Sequence, residues 1–264
     1  MNNCNFTSVS ISNGFNLYLS QGDSESVNIT IDKDLEKYLV VKVERGELKI
    51  YLKRRFSLSF SNRRKEMKAV VVVKDINRLS VSGGGRINTE MIKSDELGVK
   101  ISGGGIVNLL TETNELNCST SGGGIINLEG KTTNLDLRVS GGGKIKSDII
   151  VKDAKLTMSG GGIATIKSTN ANSLKTRLSG GGHATLYGSV TDLSIKTSGG
   201  GIISAKNLNA ENCKLSMSGG GAASINVTEN LDLSASGGVI VKCYSEPSNI
   251  NKRVSGGSIL RIIR

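Results

Sequence analysis

The chain has 264 residues, a net charge of +11, 37% apolar residues, 3% aromatics, no Trp and one Pro. So few aromatics argue against a conventional globular core, whereas a narrow interior of stacked Ile, Leu and Val needs none. No run approaches the roughly 20 apolar residues of a membrane-spanning helix.

The first residues, Met-Asn-Asn-Cys-Asn-Phe, show no basic region followed by an apolar run, so the chain as written carries no signal peptide. Cys4 lacks the preceding small and apolar residues of a lipidation site. With Cys118, Cys213 and Cys243 it shows no C-x-x-C spacing, so neither a zinc or redox motif nor a disulfide is expected. Alternating apolar runs at 6–11, 15–19, 27–31, 39–43, 48–52 and 69–73 predict short strands, with one helical turn over 32–37. Residues 1–75 read as an irregular β cap with the first coils of a larger stack, since solenoids need atypical terminal units. Inside it lies a basic run in which Arg54, Arg55, Arg63, Arg64 and Lys65 flank Ser-Leu-Ser-Phe-Ser. This reads either as a solvated loop or as an attachment patch for a polyanion such as an anionic glycan or a lipid headgroup. Phe56 and Phe60 form a thin platform for bases, so no specific nucleic acid is expected.

Residues 76–264 carry eight copies of Ser-Gly-Gly-Gly, beginning at Ser82, Ser102, Ser121, Ser140, Ser159, Ser179, Ser198 and Ser218. Two shortened copies begin at Ser236 and Ser255. Successive serines lie 18 to 20 residues apart, and 28 of the 34 glycines fall in these motifs. Glycine held in such register is not a flexible linker. A fixed period of this size marks a solenoid, whose units bury their apolar faces only by stacking.

Aligned on the serine, the repeats show columns. Five residues before it stand Leu97, Leu116, Leu135, Ala154, Leu174, Leu193, Cys213, Leu231 and Ile250. Three before it stand Val99, Cys118, Leu137 and Leu156, and one before it Ile101, Thr120, Val139 and Met158. The residues between them are polar, as at Lys100, Arg138 and Arg177. Apolar residues return five and seven places past the serine, at Ile126 and Leu128 for example. Period-two alternation of this kind predicts at least two half-buried strands per repeat, and no window holds a helical period. Stacked about 4.8 Å apart, some ten coils of 18–20 residues make a parallel β-helix of roughly 45 Å. The glycine triplet predicts a bend at every coil. Replacing a central glycine by Val should therefore cost more than replacing an outward Lys. The final Arg-Ile-Ile-Arg is a poor polar cap.

Two features resemble one bacterial family, the head GIN domain proteins named as auto-transporter adhesins. One is the opening Phe6-x-x-Val9-x-Ile11-x-x-x-Phe15-x-Leu17-x-Leu19-x-Gln21-Gly22, with Val27-x-Ile29, Leu35, and Val43-x-x-Gly46-x-Leu48-x-Ile50 after it. The other is the Ser-Gly-x-Gly coil repeat. The resemblance implies an all-β, right-handed parallel β-helix exposed on the cell envelope, usually behind a signal sequence that this chain lacks as written. It assigns no catalytic or binding residue. The compartment it implies is the cell envelope or the extracellular space, with the cytoplasm as the alternative. Any membrane proximity would come from export or anchoring outside these residues.

The residues themselves offer no catalytic site. Coils uniform to within two residues leave no insertion to wall a cleft, and Asp136 and Asp232 are separated by Lys155, Lys175 and Lys214 in their column. His183 is the sole histidine and reads as a surface imidazole without metal partners. The triplets lack the Asp of calcium-binding nonapeptide repeats. No metal, cofactor or catalytic group is expected. One column is unusual. Four places past the serine stand Ile106, Ile125, Ile163 and Ile202, broken by Arg86, Lys144 and His183. Alternation turns these isoleucines outward, as a candidate interface, unless strand parity shifts at the glycine bend. The resulting expectation is a non-enzymatic surface module binding a glycan or protein. A self-associating scaffold is the first alternative, and a carbohydrate-active β-helix enzyme is a distant second.

Overall fold

The computed structural model describes residues 6–53 and 66–263, and its eighteen strands join in one sheet system. Eight long strands make the body: β8 (Arg86–Gly103), β9 (Ile106–Gly122), β10 (Ile125–Gly141), β11 (Lys144–Ser159), β12 (Ile163–Ser179), β13 (His183–Gly199), β14 (Ile202–Gly219) and β15 (Ala222–Gly237). Each is one complete coil, running from one glycine bend to the next. Where the repeat predicts two short strands per coil, the chain forms one, because ladder pairing continues around the corner between them. Each coil pairs in parallel with the next, and the columns stand in register: Leu116 on Leu135, Leu135 on Ala154, Ala154 on Leu174, Leu174 on Leu193. Leu116, Leu135 and Leu193 are all buried in one core cluster. The chain is a β-solenoid of about ten turns.

Burial along β10 shows how a coil is built. Ile126, Leu128 and Thr132 point in; the alternation slips at Thr133–Asn134 and resumes with Leu135, Leu137 and Val139. One wall, here called A, therefore carries the residues just before each serine. The other, wall B, begins just after each glycine triplet. The two meet at a glycine corner and at a polar corner.

At the glycine corner the three glycines do different work. The first is left-handed at every coil from Gly83 (φ +78) to Gly237 (φ +95), and a Cβ on Gly103 would lie 2.9 Å from the Gly83 carbonyl oxygen. A Cβ on the third meets a wall A side chain, as Gly143 would meet Thr120 Cγ2 at 2.7 Å. The middle glycine, as in Gly104, Gly123 or Gly161, has no positive φ and faces open space. The expectation that replacing a central glycine by Val costs more than replacing an outward Lys is therefore corrected. The coils touch through the outer two, and the middle one stands clear.

The N-terminal strands are β1 (Ser8–Ser12), β2 (Asn16–Gln21), β3 (Ser26–Ile31), β4 (Leu39–Glu44), β5 (Glu47–Leu52), β6 (Met67–Val73) and β7 (Arg78–Gly83), with a single helical turn α1 (Lys33–Glu36). Their order in space is not their order in sequence. On one side β1 lies between β5 and β7, parallel to both; on the other, β2 lies between β6 and β8. β4 then pairs antiparallel with β5, and β3 antiparallel with β6. The parallel stack is thus closed by two reversed strands, and α1 between them buries Leu35 in the core. Phe6 and Phe15, the large aromatics of this core, fill the first coil.

At the other end come β16 (Ile240–Cys243), β17 (Asn249–Val254) and β18 (Ile259–Ile262), with β17 on β15 and β18 on β16. Ile250 and Val254 continue inward columns yet are 44% and 39% exposed, because no described strand stacks upon them. α1 is the only helix among the described residues, and no helix is long and apolar enough to cross a membrane.

Candidate binding surfaces

The uniform coils leave no long loop, yet they form a trough. It runs along the polar corner across five coils, about 20 Å at the strand spacing, with a volume near 1060 Å³. Its walls repeat level by level as Lys93–Asp95, Glu112–Asn114, Lys131–Thr133, Ile150–Lys152 and Thr169–Asn170. The floor is locked by hydroxyls: Thr113 Oγ1 donates to Thr132 Oγ1 (3.0 Å), which donates to the Asn134 carbonyl (3.1 Å). Gln21, at the end of β2, pins the first level, accepting from the Lys93 N–H at 2.6 Å and donating to the Lys93 carbonyl at 2.9 Å.

The rim is charged and self-paired. Glu112 receives Lys131 Nζ at 2.7 Å, with Lys93 Nζ at 4.0 Å on its other side. The Lys131 hydrogen bond holds the Glu112 carboxyl below the usual carboxylate range. Asn114 Nδ2 donates to Asp95 at 3.1 Å. Ile150, 68% exposed, supplies an apolar step at the fourth level. The trough offers ammonium, carboxylate, amide and hydroxyl groups at coil spacing, a donor and acceptor set suited to a polyol. Sequence columns could have shown these residues as a polar strip; they could not show that the slip in alternation folds the strip into a hollow.

The isoleucine column stands on wall B in unbroken register: Arg86, Ile106, Ile125, Lys144, Ile163, His183, Ile202, Ala222, Ile240 and Ile259. The parity shift does not occur. Ile163 and Ile202 are each 45% exposed, Ile106 and Ile125 are half-buried, and their neighbours Val107, Ile126, Ala164 and Ile203 face the core. His183 interrupts the stripe, with Nε2 3.2 Å from Thr185 Oγ1. The basic run Arg54, Arg55, Arg63, Arg64 and Lys65 lies outside the described residues.

Among the acids, Asp136 is paired with Arg138 (2.8 Å) and with Lys155 of the next coil (3.3 Å). No group of three or more His, Cys, Asp or Glu that could hold a metal occurs among the described residues. Cys118, Cys213 and Cys243 are buried and unbridged.

The sequence model of the family described as "Putative auto-transporter adhesin, head GIN domain" matches residues 5–170 and 145–247. Among solved structures, one described as a "putative lipid binding protein" from Parabacteroides distasonis is 21% identical, with a TM-score of 0.53 over 98% of this chain and 93% of that one. A "putative adhesin" from Parabacteroides merdae is 16% identical, with a TM-score of 0.54 over 100% of this chain and 94% of its own. A second "putative adhesin", from Parabacteroides distasonis, is 18% identical at the same TM-score and coverage. At such identities the likeness is one of fold. None of the curated proteins matches the chain.

Proposed function

This chain belongs to the auto-transporter adhesin, head GIN domain family, and on that footing we propose that it is a non-catalytic, surface-displayed rod that binds polysaccharide along its polar corner. The observation carrying this reading is the trough itself: polar side chains recur at each of five coils, Lys93, Glu112 and Lys131 among them. A linear polymer presenting hydroxyls at regular intervals can engage several levels at once, so weak contacts add. The non-catalytic part rests on Glu112. Glycosyl hydrolysis needs a carboxylic acid free to protonate the leaving group, whereas Glu112 is ion-paired with Lys131 at 2.7 Å and Asp95 accepts from Asn114. Display on the envelope or outside the cell accords with the adhesin description of the family.

A glycan array followed by titration calorimetry of the best neutral polysaccharide tests this. Lys131→Ala with Asn114→Ala should weaken binding at least tenfold while leaving the circular dichroism unchanged. Failure of the parent protein to bind any glycan, or equal affinity in the variant, would sink the reading.

A second reading has its own observation. The outward Ile163, Ile202, Ile240 and Ile259, each 43–45% exposed, make an apolar strip along wall B, and a copy of the same chain could cover it. Light scattering on the parent and on Ile163→Lys/Ile202→Lys decides: a dimer that the variant abolishes supports self-association, and a monomeric parent refutes it.

A further inference from the structure

Wall A carries a block of positive charge that the trough does not use. In β10 and β11 two of its cations are matched, Arg138 and Lys155 both bonding Asp136. Two coils on, the matching stops. Lys175 and Arg177 project from the same face of β12, and Arg177 stands directly beside Lys196 of β13 in the parallel ladder. Lys155 of β11 in turn stands beside Lys175. Like charges side by side on neighbouring strands oppose folding. Yet Lys175, Arg177 and Lys196 are exposed and have no ion pair within 4.0 Å among the described residues. Other acids of this wall, Asp153, Asp192 and Asp232, are hydrogen-bonded by Ser173 (2.6 Å), Asn212 (3.1 Å) and Asn251 (3.4 Å), and Asp192 and Asp232 line a separate hollow with Lys175.

Beside Arg177 and Lys196 is a shallow hollow of about 390 Å³. Arg177 and Lys196 line it, with Thr157, Ser179, Ser198 and Ser216 around them, and no carboxylate among its lining residues. Its inner residues, Met158, Leu178 and Thr197, are buried, so the surface offers a partner charge and hydroxyls but little apolar area. The middle glycines beside it carry no side chain into the approach.

We propose that this face docks an acidic polysaccharide, a linear chain bearing sulfates or carboxylates, laid along the rod axis with its anions on Arg177 and Lys196. Arg177 and Lys196 stand one coil apart, about 4.8 Å, on the scale of one sugar ring, so adjacent residues of such a chain meet the two cations. Unpaired like charges cost stability unless an anion neutralises them, and Arg supplies the forked donor that sulfate or carboxylate accepts. Nucleic acid fits less well because no aromatic ring lines the hollow to stack a base. A membrane surface fits less well because the apolar residues lining the hollow, Met158 and Leu178, are buried. The inference shares with the trough reading only the idea of a rod that holds extended polymers; it uses a different wall and a different probe.

Heparin serves as the sulfated probe, dextran as the neutral one and duplex DNA as the competing polyanion. Arg177→Gln/Lys196→Gln should bind heparin at least tenfold more weakly and flatten the slope of log K against log salt by about two, roughly one per cation removed. Lys131→Ala, in the trough, should leave heparin binding intact. Affinity for dextran should follow the trough variants only, so failure of either proposal is visible separately. The proposal falls if heparin affinity and salt slope are unchanged in Arg177→Gln/Lys196→Gln. It also falls if Lys131→Ala loses as much, or if DNA binds as tightly as heparin through the same residues. Circular dichroism establishes that each exposed substitution has left the coil intact.

Discussion

Gly188, on wall B of β13, lies so close to the Ser168 carbonyl of the coil before it that a Cβ there would run into that oxygen. Its φ is +106, and Gly130, three coils earlier in the chain, repeats the relationship with the Thr111 carbonyl at φ +118. Neither glycine belongs to a Ser-Gly-Gly-Gly motif, yet both are places where coils meet backbone to backbone.

Gly188→Ala should therefore destabilise by at least about 2 kcal/mol, from the left-handed backbone and the clash together. Gly161→Ala, at the open middle of a triplet, should stay within about 0.5 kcal/mol of the parent. Denaturant midpoints of the two variants check this, and similar losses would contradict the division of labour among the glycines.

Leu137 is fully buried between Cys118 and Leu156 in the wall A ladder. Leu137→Ala removes methyl groups from a column that backbone pairing holds at fixed spacing, so the gap cannot close well. A loss of about 2–5 kcal/mol is expected. Because each coil contacts only its neighbours, hydrogen exchange should rise most in β9, β10 and β11.

Asp136 links two coils through Lys155 as well as Arg138 within its own. Partial burial works against its charge, but the Arg138 and Lys155 hydrogen bonds outweigh it and leave the carboxyl below its usual range. A carboxyl lowered on folding stabilises above its unfolded pKa and loses that contribution as pH falls through the folded value. Asp136→Asn should thus melt lower than the parent between pH 5 and 7, by less than about 1 kcal/mol given its exposure, and the gap should narrow below about pH 4. A gap independent of pH would rule out the ionic origin.

Burial pushes the Cys213 thiol up to about 12, with Cys243 nearby adding to it. Burial likewise raises Cys118, followed by the charge of Asp136. Since the thiolate is the reactive form, neither residue should take up iodoacetamide at pH 8 in the native protein, and both should be alkylated in denaturant. Peptide mapping reads this, and native labelling of Cys213 would place it on an accessible surface.

The short strands of the cap were legible because inward and outward alternation is a property of neighbouring residues: 39–43 and 48–52 announce β4 and β5 without reference to anything distant. The repeat columns were legible for a related reason. Stacking at a fixed interval converts each column, Leu116 over Leu97 or Ile126 over Val107, into a physical ladder. The trough was not legible. Lys93, Glu112 and Lys131 look like scattered surface charge until the slip at Thr133–Asn134 turns the chain and sets their levels side by side.

Composition and period alone were enough to specify a coil with a Leu, Ile and Val interior, since side-chain direction in a strand follows from its two-residue pleat. They left open the insertion of β1 and β2 between strands that come later in the chain, the reversed strands that close the stack, and which glycines carry the coil contacts. Those depend on pairing between residues tens of positions apart and on how closely two backbones approach. Such distances exist only once the whole rod has assembled.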